Sequence, residues 1–304
     1  MLTPSCLFPA IFSQFYLMIN YIFFSYKKSF LILLMTIFMS QFSLNSNAQP
    51  VTVSEQDLKN PVQTINVNIT EIAKQVTVRI ITKFGSGSGV IIKRNGKTYV
   101  ALTNRHVLAD SPENGYQLMT FDGKLYSARE STPVKIATLD LALVEFTSQQ
   151  NYQVVELQKS RETLEGKTVY AAGFPAWNFT WEGNKISRFE ETRNWGMRAF
   201  HLTTGRITMK LDKTLPGGYQ VGYTNDVSQG MSGGPVLNQK GELIAINGLL
   251  KYPFQGIKAF TFADGSVPNQ QLYLEIDSLS WAIPVTKVID FMKTQNLIEP
   301  NLHN

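Results

Sequence analysis

The sequence predicts an all-β fold, a sandwich or barrel of many short strands. Three observations predict it. Short β-branched and aromatic runs recur from residue 76 to residue 284. Clusters of Gly, Pro and Asn, such as Arg94-Asn95-Gly96-Lys97 and Asn238-Gln239-Lys240-Gly241, separate them. Helical spacing with one apolar face is confined to the tail, where Val285, Val288, Ile289 and Met292 align over Val285 to Gln295.

Taken in order, the first element of the folded part is a short helix from Asn68 to Gln75, capped by Asn68 or Thr70. Strands come next at Val76 to Thr82, Gly89 to Lys93, Thr98 to Thr103, Gln117 to Phe121, Lys135 to Ala137 and Leu141 to Phe146. A second series runs through Thr168 to Ala172, His201 to Met209, Gln220 to Tyr223, Pro235 to Leu237, Leu243 to Asn247 and Trp281 to Pro284. The segment Trp177 to Trp195, rich in Trp, Arg and Glu, reads as a loop between strands. No internal repeat is present, and one two-lobed domain accounts for the length.

The N-terminus reads differently. Lys27 and Lys28 precede a ten-residue apolar run from Phe30 to Met39, and Ser46-Asn47-Ala48 offers small residues for cleavage after Ala48. The run is long enough for a signal peptide and short of the ~20 residues of a bilayer span. The alternative is a leader that stays attached as a membrane anchor. Residues 7–24 are apolar but interrupted by Pro9, Ser13, Gln14 and Asn20. They read as an upstream extension, or else as a second hydrophobic segment. The organisation expected is therefore a hydrophobic leader over 1–48, an N-terminal arm over 49–74 and a folded domain over 75–304.

Composition excludes several functions. Of 304 residues, 43% are hydrophobic and 17% charged, which supports a real core. The net charge of +5 is scattered without a run, so no nucleic-acid face is expected. Cys6 is the only cysteine and falls in the leader, so the exported part has no disulfide and no thiolate metal site. His106, His201 and His303 stand in no metal-ligand spacing, and neither a metal nor another cofactor is expected. Export without disulfides fits a bacterial envelope or medium, with the membrane involved only if the leader is retained.

Three local signals carry chemistry. Gly230-Met231-Ser232-Gly233-Gly234-Pro235 precedes an apolar strand. Glycines around a serine allow a sharp turn that exposes its hydroxyl beside converging N–H groups, as an acyl-transfer oxyanion needs. Leu102-Thr103-Asn104-Arg105-His106-Val107 ends an apolar strand with a residue suited to general base work. Leu139-Asp140-Leu141-Ala142-Leu143-Val144 heads an apolar run with one carboxylate, which orienting a histidine would satisfy. Each alone reads equally as a turn serine, a strand-end histidine or a strand-capping aspartate. His201 reads as structural.

Together, in the order His106, Asp140, Ser232, these boxes resemble the trypsin-like (chymotrypsin-fold) serine peptidases. The similar branch is the disulfide-free bacterial one of HtrA-type proteases and glutamyl endopeptidases. Gly85 to Ile92 resembles the HtrA-like opening strand, and Gly241 to Gly248 the strand lining the substrate cleft. The resemblance implies two six-stranded antiparallel β-barrels with a C-terminal helix and a catalytic crevice between them. It implies Ser232 as nucleophile, His106 as base and Asp140 as its orienting partner, with the Gly230 and Ser232 amides as oxyanion hole. Asp226 stands where enzymes of Arg/Lys specificity carry an acid at the base of S1, or else bonds backbone within its loop. Asn247 and Gly248 are expected beside it. Asn247 replaces the histidine of glutamyl endopeptidases, which disfavours acidic P1 residues. Met231 replaces the acid that pairs with a new N-terminus in animal trypsins, so activation by that route is not expected. Residues 233–304 are needed for the second barrel and helix, leaving no PDZ module. The function expected is an exported serine endopeptidase acting on proteins or peptides; the alternative is a catalytically silent binding protein of the same fold. A serine esterase of the α/β-hydrolase type is disfavoured, because Pro235 and a strand come after Ser232 where that fold needs a helix.

Overall fold

A computed structural model describes residues 68–109, 115–131, 138–159, 165–183 and 185–298. The leader over 1–48, the arm up to residue 67 and the strand expected at 135–137 lie outside the described residues. Among the described residues no helix is long and apolar enough to cross a membrane.

Two closed antiparallel barrels of six strands each form the architecture. In the first, β1 (Thr77–Ile81), β2 (Ser86–Asn95), β3 (Thr98–Thr103), β4 (Tyr116–Met119), β5 (Leu125–Glu130) and β6 (Ala142–Thr147) close in the order β1-β2-β3-β6-β5-β4. In the second, β7 (Thr168–Gly173), β10 (His201–Lys210), β11 (Val221–Tyr223), β12 (Pro235–Leu237), β13 (Leu243–Leu249) and β14 (Ser280–Pro284) close as β10-β11-β14-β13-β12-β7. Between β7 and β10 a separate pair, β8 (Trp177–Glu182) and β9 (Lys185–Glu191), forms a hairpin. Both barrels lie within one compact unit, Val67–Phe179 with Phe189–Asn304; Thr180–Arg188 of the hairpin belongs to a second.

The continuous apolar runs of β3 and β6 are explained by burial on both faces. Tyr99, Ala101, Val144 and Phe146 fill the first barrel, while Val100, Leu102 and Leu143 join a larger core with Leu243, Ile246, Trp281 and Ile283 of the second. That shared core also takes Val288, Phe291 and Met292 of α3 (Val285–Thr294), so the closing helix seals both lobes.

Four sequence expectations change. The first helix, α1 (Ile69–Val76), is capped by Asn68, whose side chain accepts from the Glu71 amide. It buries Ala73 and Val76 in the shared core and ends at Val76, one residue past its expected end. The segment 177–195 expected as a loop contains the β8–β9 hairpin, in which Trp177 and Phe189 meet edge to face, centroids 6.0 Å apart. Strand β5 is an addition to the expected series, since Leu125-Tyr126-Ser127-Ala128-Arg129-Glu130 is largely exposed and polar. Helix α2 (Gln270–Asp277), capped by Asn269, is a second helix outside the tail; it buries one residue, Ile276, and carries little periodic signal.

Candidate active site

Barrel register brings the first two site residues together. Thr103, the last residue of β3, pairs with Ala142, the first of β6, so the residues after β3 and those before β6 share one barrel rim. After β3 the chain enters a 3-10 turn, Arg105–Leu108, that carries His106. Asn104, fully buried, donates from Nδ2 to the Asp140 carbonyl at 2.8 Å. The Asp140 amide donates to the Gly217 carbonyl at 2.9 Å. With its backbone tied to both lobes, Asp140 presents Oδ1 to the His106 amide (3.0 Å) and Oδ2 to His106 Nδ1 (2.6 Å). An ionised carboxylate only accepts, so Nδ1 carries the proton and Nε2 is left as the base atom of the neutral ring.

Asp140 accepts a third bond that nothing in the sequence signalled. Tyr219, buried just ahead of β11, donates its hydroxyl to Oδ2 at 2.5 Å. Burial alone would raise the Asp140 pKa. The hydrogen bond and charge of His106, with the Tyr219 and backbone bonds, outweigh it and hold the carboxyl below its ordinary value. Tyr219 moves the other way: burial, then the charge and bond of Asp140, push it well above 10, so it stays a donor. Its seat depends on Gly248, where an added Cβ would overlap the Tyr219 oxygen.

The nucleophile loop is shaped by a glycine. Gly230 has φ +95°, and a Cβ there would meet the Ala176 nitrogen at 2.5 Å and the Phe174 oxygen at 2.6 Å. Met231 between Gly230 and Ser232 is buried and donates to the Ser228 carbonyl at 3.0 Å. The amides of Gly230 and Ser232 donate to no group among the described residues. Their orientations are nonetheless fixed from behind. The Gln229 carbonyl accepts from the Ala176 amide at 2.7 Å, and the Met231 carbonyl from Asn247 Nδ2 at 2.9 Å. Carbonyl and N–H point oppositely across a trans peptide, so both free N–H groups turn away from these partners. Ser88 of β2 locks the loop to the first barrel. Its amide donates to the Ser232 carbonyl (2.9 Å), and its hydroxyl donates to the Gly230 carbonyl and accepts from the Phe174 amide (both 2.8 Å).

Ser232 is half-buried, and its hydroxyl donates to the Gly248 carbonyl at 3.3 Å; no hydrogen bond joins it to His106.

The residues expected at S1 separate. The Asp226 side chain is 85% exposed and pairs with Lys251 Nζ at 2.8 Å, so the expected buried acid becomes a solvated surface ion pair. Asn247 is fully buried; besides holding Met231, it accepts the Tyr223 hydroxyl, and it therefore braces the loop instead of lining a pocket. Gly248 does lie beside Ser232, as its carbonyl contact shows. His201 is exposed at the start of β10. Among the described residues no group of three His, Cys, Asp or Glu side chains is placed to hold a metal ion.

The family described as a trypsin-like peptidase domain matches residues 87–246. The chain is 28% identical over 177 residues to the Serine protease Do-like HtrA of Bacillus subtilis (strain 168), covering 55% of this chain and 34% of that protein. The protein of the same name from Lactobacillus helveticus is 27% identical over 228 residues, 72% of this chain and 46% of its own length. A Probable periplasmic serine endoprotease DegP-like of Pseudomonas putida (strain GB-1) is 29% identical, over 67% of this chain and 33% of its own. The chain thus spans between a third and a half of these relatives. Among solved structures, an HtrA-type protease with a bound tripeptide superposes with a TM-score of 0.52 at 21% identity, covering 75% of this chain and 62% of that one, a likeness of fold.

Proposed function

From a chain that belongs to the trypsin-like peptidase domain family, we propose an exported serine endopeptidase in which Ser232, His106 and Asp140 form the catalytic triad. The observation that carries this reading is the Asp140–His106 pair, 2.6 Å apart, on a rim that the nucleophile loop abuts at Gly233, where an added Cβ would meet Thr103 and Asn104, together with the two undonated amides of Gly230 and Ser232. In the proposed cycle the Ser232 hydroxyl leaves the Gly248 carbonyl by a side-chain rotation and is engaged by His106 Nε2. It attacks the scissile carbonyl while Nε2 takes its proton, and Asp140 holds the tautomer and stabilises the imidazolium. The amides of Gly230 and Ser232 receive the oxyanion, a pair worth about 3–4 kcal/mol per donor removed in comparable sites. His106 then protonates the leaving amine, and water, activated by the same Nε2, releases the acyl group.

Export is part of the proposal, supported by the leader over 1–48 and by relatives named periplasmic. N-terminal sequencing of protein released by osmotic shock tests it: a chain beginning at residue 49 is expected, and one retained with membranes beginning before residue 48 overturns cleavage.

A catalytically silent binding protein of the same fold is the second reading, favoured by the Ser232–Gly248 bond. Fluorophosphonate labelling of the purified protein beside Ser232→Ala decides. An adduct mapped to Ser232 and absent from the variant is expected; a folded wild type that takes no label overturns the enzyme reading.

A further inference from the structure

Among the described residues Arg79 is the one fully buried arginine, set in the wall of the first barrel, and the triad makes no use of it. It sits on β1 opposite Ser88. Among the described residues no carboxylate pairs with it, and its Nε has no partner. Burial, then the charge of Arg193, lowers its pKa to about 10 against an opposing pull from Glu191, so the guanidinium remains charged at neutral pH. A buried cation without a counter-ion is costly, and an apolar side chain of similar volume would serve packing better. What the charge holds is therefore informative.

Nη1 donates to the Thr192 carbonyl at 2.7 Å, and Nη2 to Thr192 Oγ1 at 2.9 Å and Ser86 Oγ at 3.0 Å, with the Phe174 ring centroid 5.8 Å from the guanidinium carbon. Thr192, itself buried, passes the grip on. Its amide donates to the Ala176 carbonyl at 2.9 Å, and its hydroxyl donates to the Pro175 carbonyl. The Ala176 amide in turn donates to Gln229, and that bond aims the Gly230 N–H. If the Gln229–Gly230 peptide rotated, its N–H would face the Ala176 N–H, donor against donor, and the oxyanion site would lose one of its two groups.

Resting on the triad reading above, we propose that Arg79 is a positioning residue for the oxyanion hole, holding the Gly230 amide in its productive direction through Thr192, Ala176 and Gln229. Met231, the residue before the nucleophile, is apolar and carries no charge that could do this from within the loop. A charge in the first barrel does it from outside, in a pre-assembled form. The second amide, that of Ser232, depends on Asn247 and is independent of this relay.

The test compares wild type, Arg79→Met, Arg79→Lys, Thr192→Val and Ser232→Ala in the full chain. Three quantities are read: the second-order rate of fluorophosphonate labelling, the rate of His106 carbethoxylation by diethylpyrocarbonate, and the unfolding transition. Expected for Arg79→Met is a fall of about 100-fold in labelling, as for loss of one oxyanion donor, with His106 reactivity unchanged and a cooperative transition retained. Arg79→Lys, which keeps a donor for the Thr192 carbonyl, recovers part of the rate. Thr192→Val, isosteric and lacking only the hydroxyl that accepts from Nη2 and donates to the Pro175 carbonyl, falls about 10-fold, roughly 1.4 kcal/mol, since the Thr192 carbonyl and amide keep the rest of the relay. Labelling at the wild-type rate in Arg79→Met overturns the proposal, as does a parallel loss of His106 reactivity, which would mark general collapse. If Arg79→Met does not fold, Thr192→Val decides by the same criteria. A folded wild type that takes no label defeats the triad reading itself, and this inference with it.

Discussion

The Tyr219 hydroxyl and His106 Nδ1 converge on the same oxygen of Asp140, Oδ2, at 2.5 and 2.6 Å. A tyrosine from the second barrel thus shares the carboxylate that orients the proposed base of the first. Each donor draws electron density from the other's bond, so the hydroxyl both fixes the carboxylate and weakens its pull on the imidazolium. Tyr219→Phe removes the donor and keeps the ring. The expected result is a fall in kcat/KM of about 10-fold, one charge-assisted hydrogen bond in free energy. Peptide hydrolysis and the unfolding midpoint, measured side by side, check this; an unchanged kcat/KM reduces Tyr219 to a packing residue.

Asp226 supplies a prediction of no change. Its carboxylate is 85% exposed and neutralised by Lys251, whose Nζ also donates to the Thr224 carbonyl. An exposed pair of this kind contributes about 1 kcal/mol at most. Asp226→Asn should therefore leave the P1 profile on a peptide library and the unfolding midpoint where they are. A loss of cleavage after Arg and Lys confined to this variant would restore the S1 acid reading.

How much of the fold is legible in the sequence depends on the kind of signal each feature leaves. Strands buried on both faces, such as β3 and β6, are legible because each carries an unbroken apolar run, Tyr99 to Leu102 and Ala142 to Val144, and the expected bounds of β3 and β12 match the structure to the residue. Strand β5 and helix α2 present mostly exposed side chains and owe their place to neighbours, which no local pattern records. The same division runs through the site. His106, Asp140 and Ser232 stand in local boxes, but the partners that hold them come from elsewhere: Tyr219 from before β11, Ser88 from β2, Arg79 from β1. Asn247 lies on its expected strand but turns toward the nucleophile loop and not toward a pocket. Alternation alone cannot say which side of β13 looks toward that loop when both sides are buried.

Asn247 braces the loop through two buried bonds, giving one to the Met231 carbonyl and taking one from the Tyr223 hydroxyl. Asn247→Ala strands the Tyr223 hydroxyl in the core, while the Met231 carbonyl keeps the Gly234 amide as a donor at 3.1 Å. The expected cost is about 1–3 kcal/mol of unfolding free energy, from one unsatisfied buried group. Tyr223→Phe should cost less, and the double variant less than the sum by about 1 kcal/mol, since the two residues share a bond. Urea titrations of the four proteins measure this coupling, and strict additivity would mean that the bond contributes nothing.

Gly230→Ala separates conformation from chemistry. The residue sits at φ +95°, where a side chain is strained, and its Cβ would press on the Ala176 nitrogen, the donor that aims the Gly230 amide. Fluorophosphonate labelling should fall by about 100-fold or more, as for loss of an oxyanion donor, alongside a stability loss of about 1–3 kcal/mol for backbone strain. Labelling within twofold of wild type would show that the loop tolerates another path.

Acid titration tests the carboxylate directly. The folded-state pKa of Asp140 lies below its unfolded value near 4, so the ionised group adds stability above about pH 4 that is lost as pH falls through the folded value. Its side chain is only 18% exposed, and solvent screens its bonds little. Asp140→Asn should be less stable than wild type by about 1–3 kcal/mol at pH 7, the range for a hydrogen bond to a charged group. Because the variant has nothing to protonate there, the gap should narrow as pH drops below about 4, with the wild type losing stability faster. Urea unfolding at pH 7, 5, 4 and 3 tracks the difference. A gap that stays constant to the lowest pH would mean that Asp140 acts through its shape and neutral hydrogen bonds, and that its charge contributes nothing to holding His106.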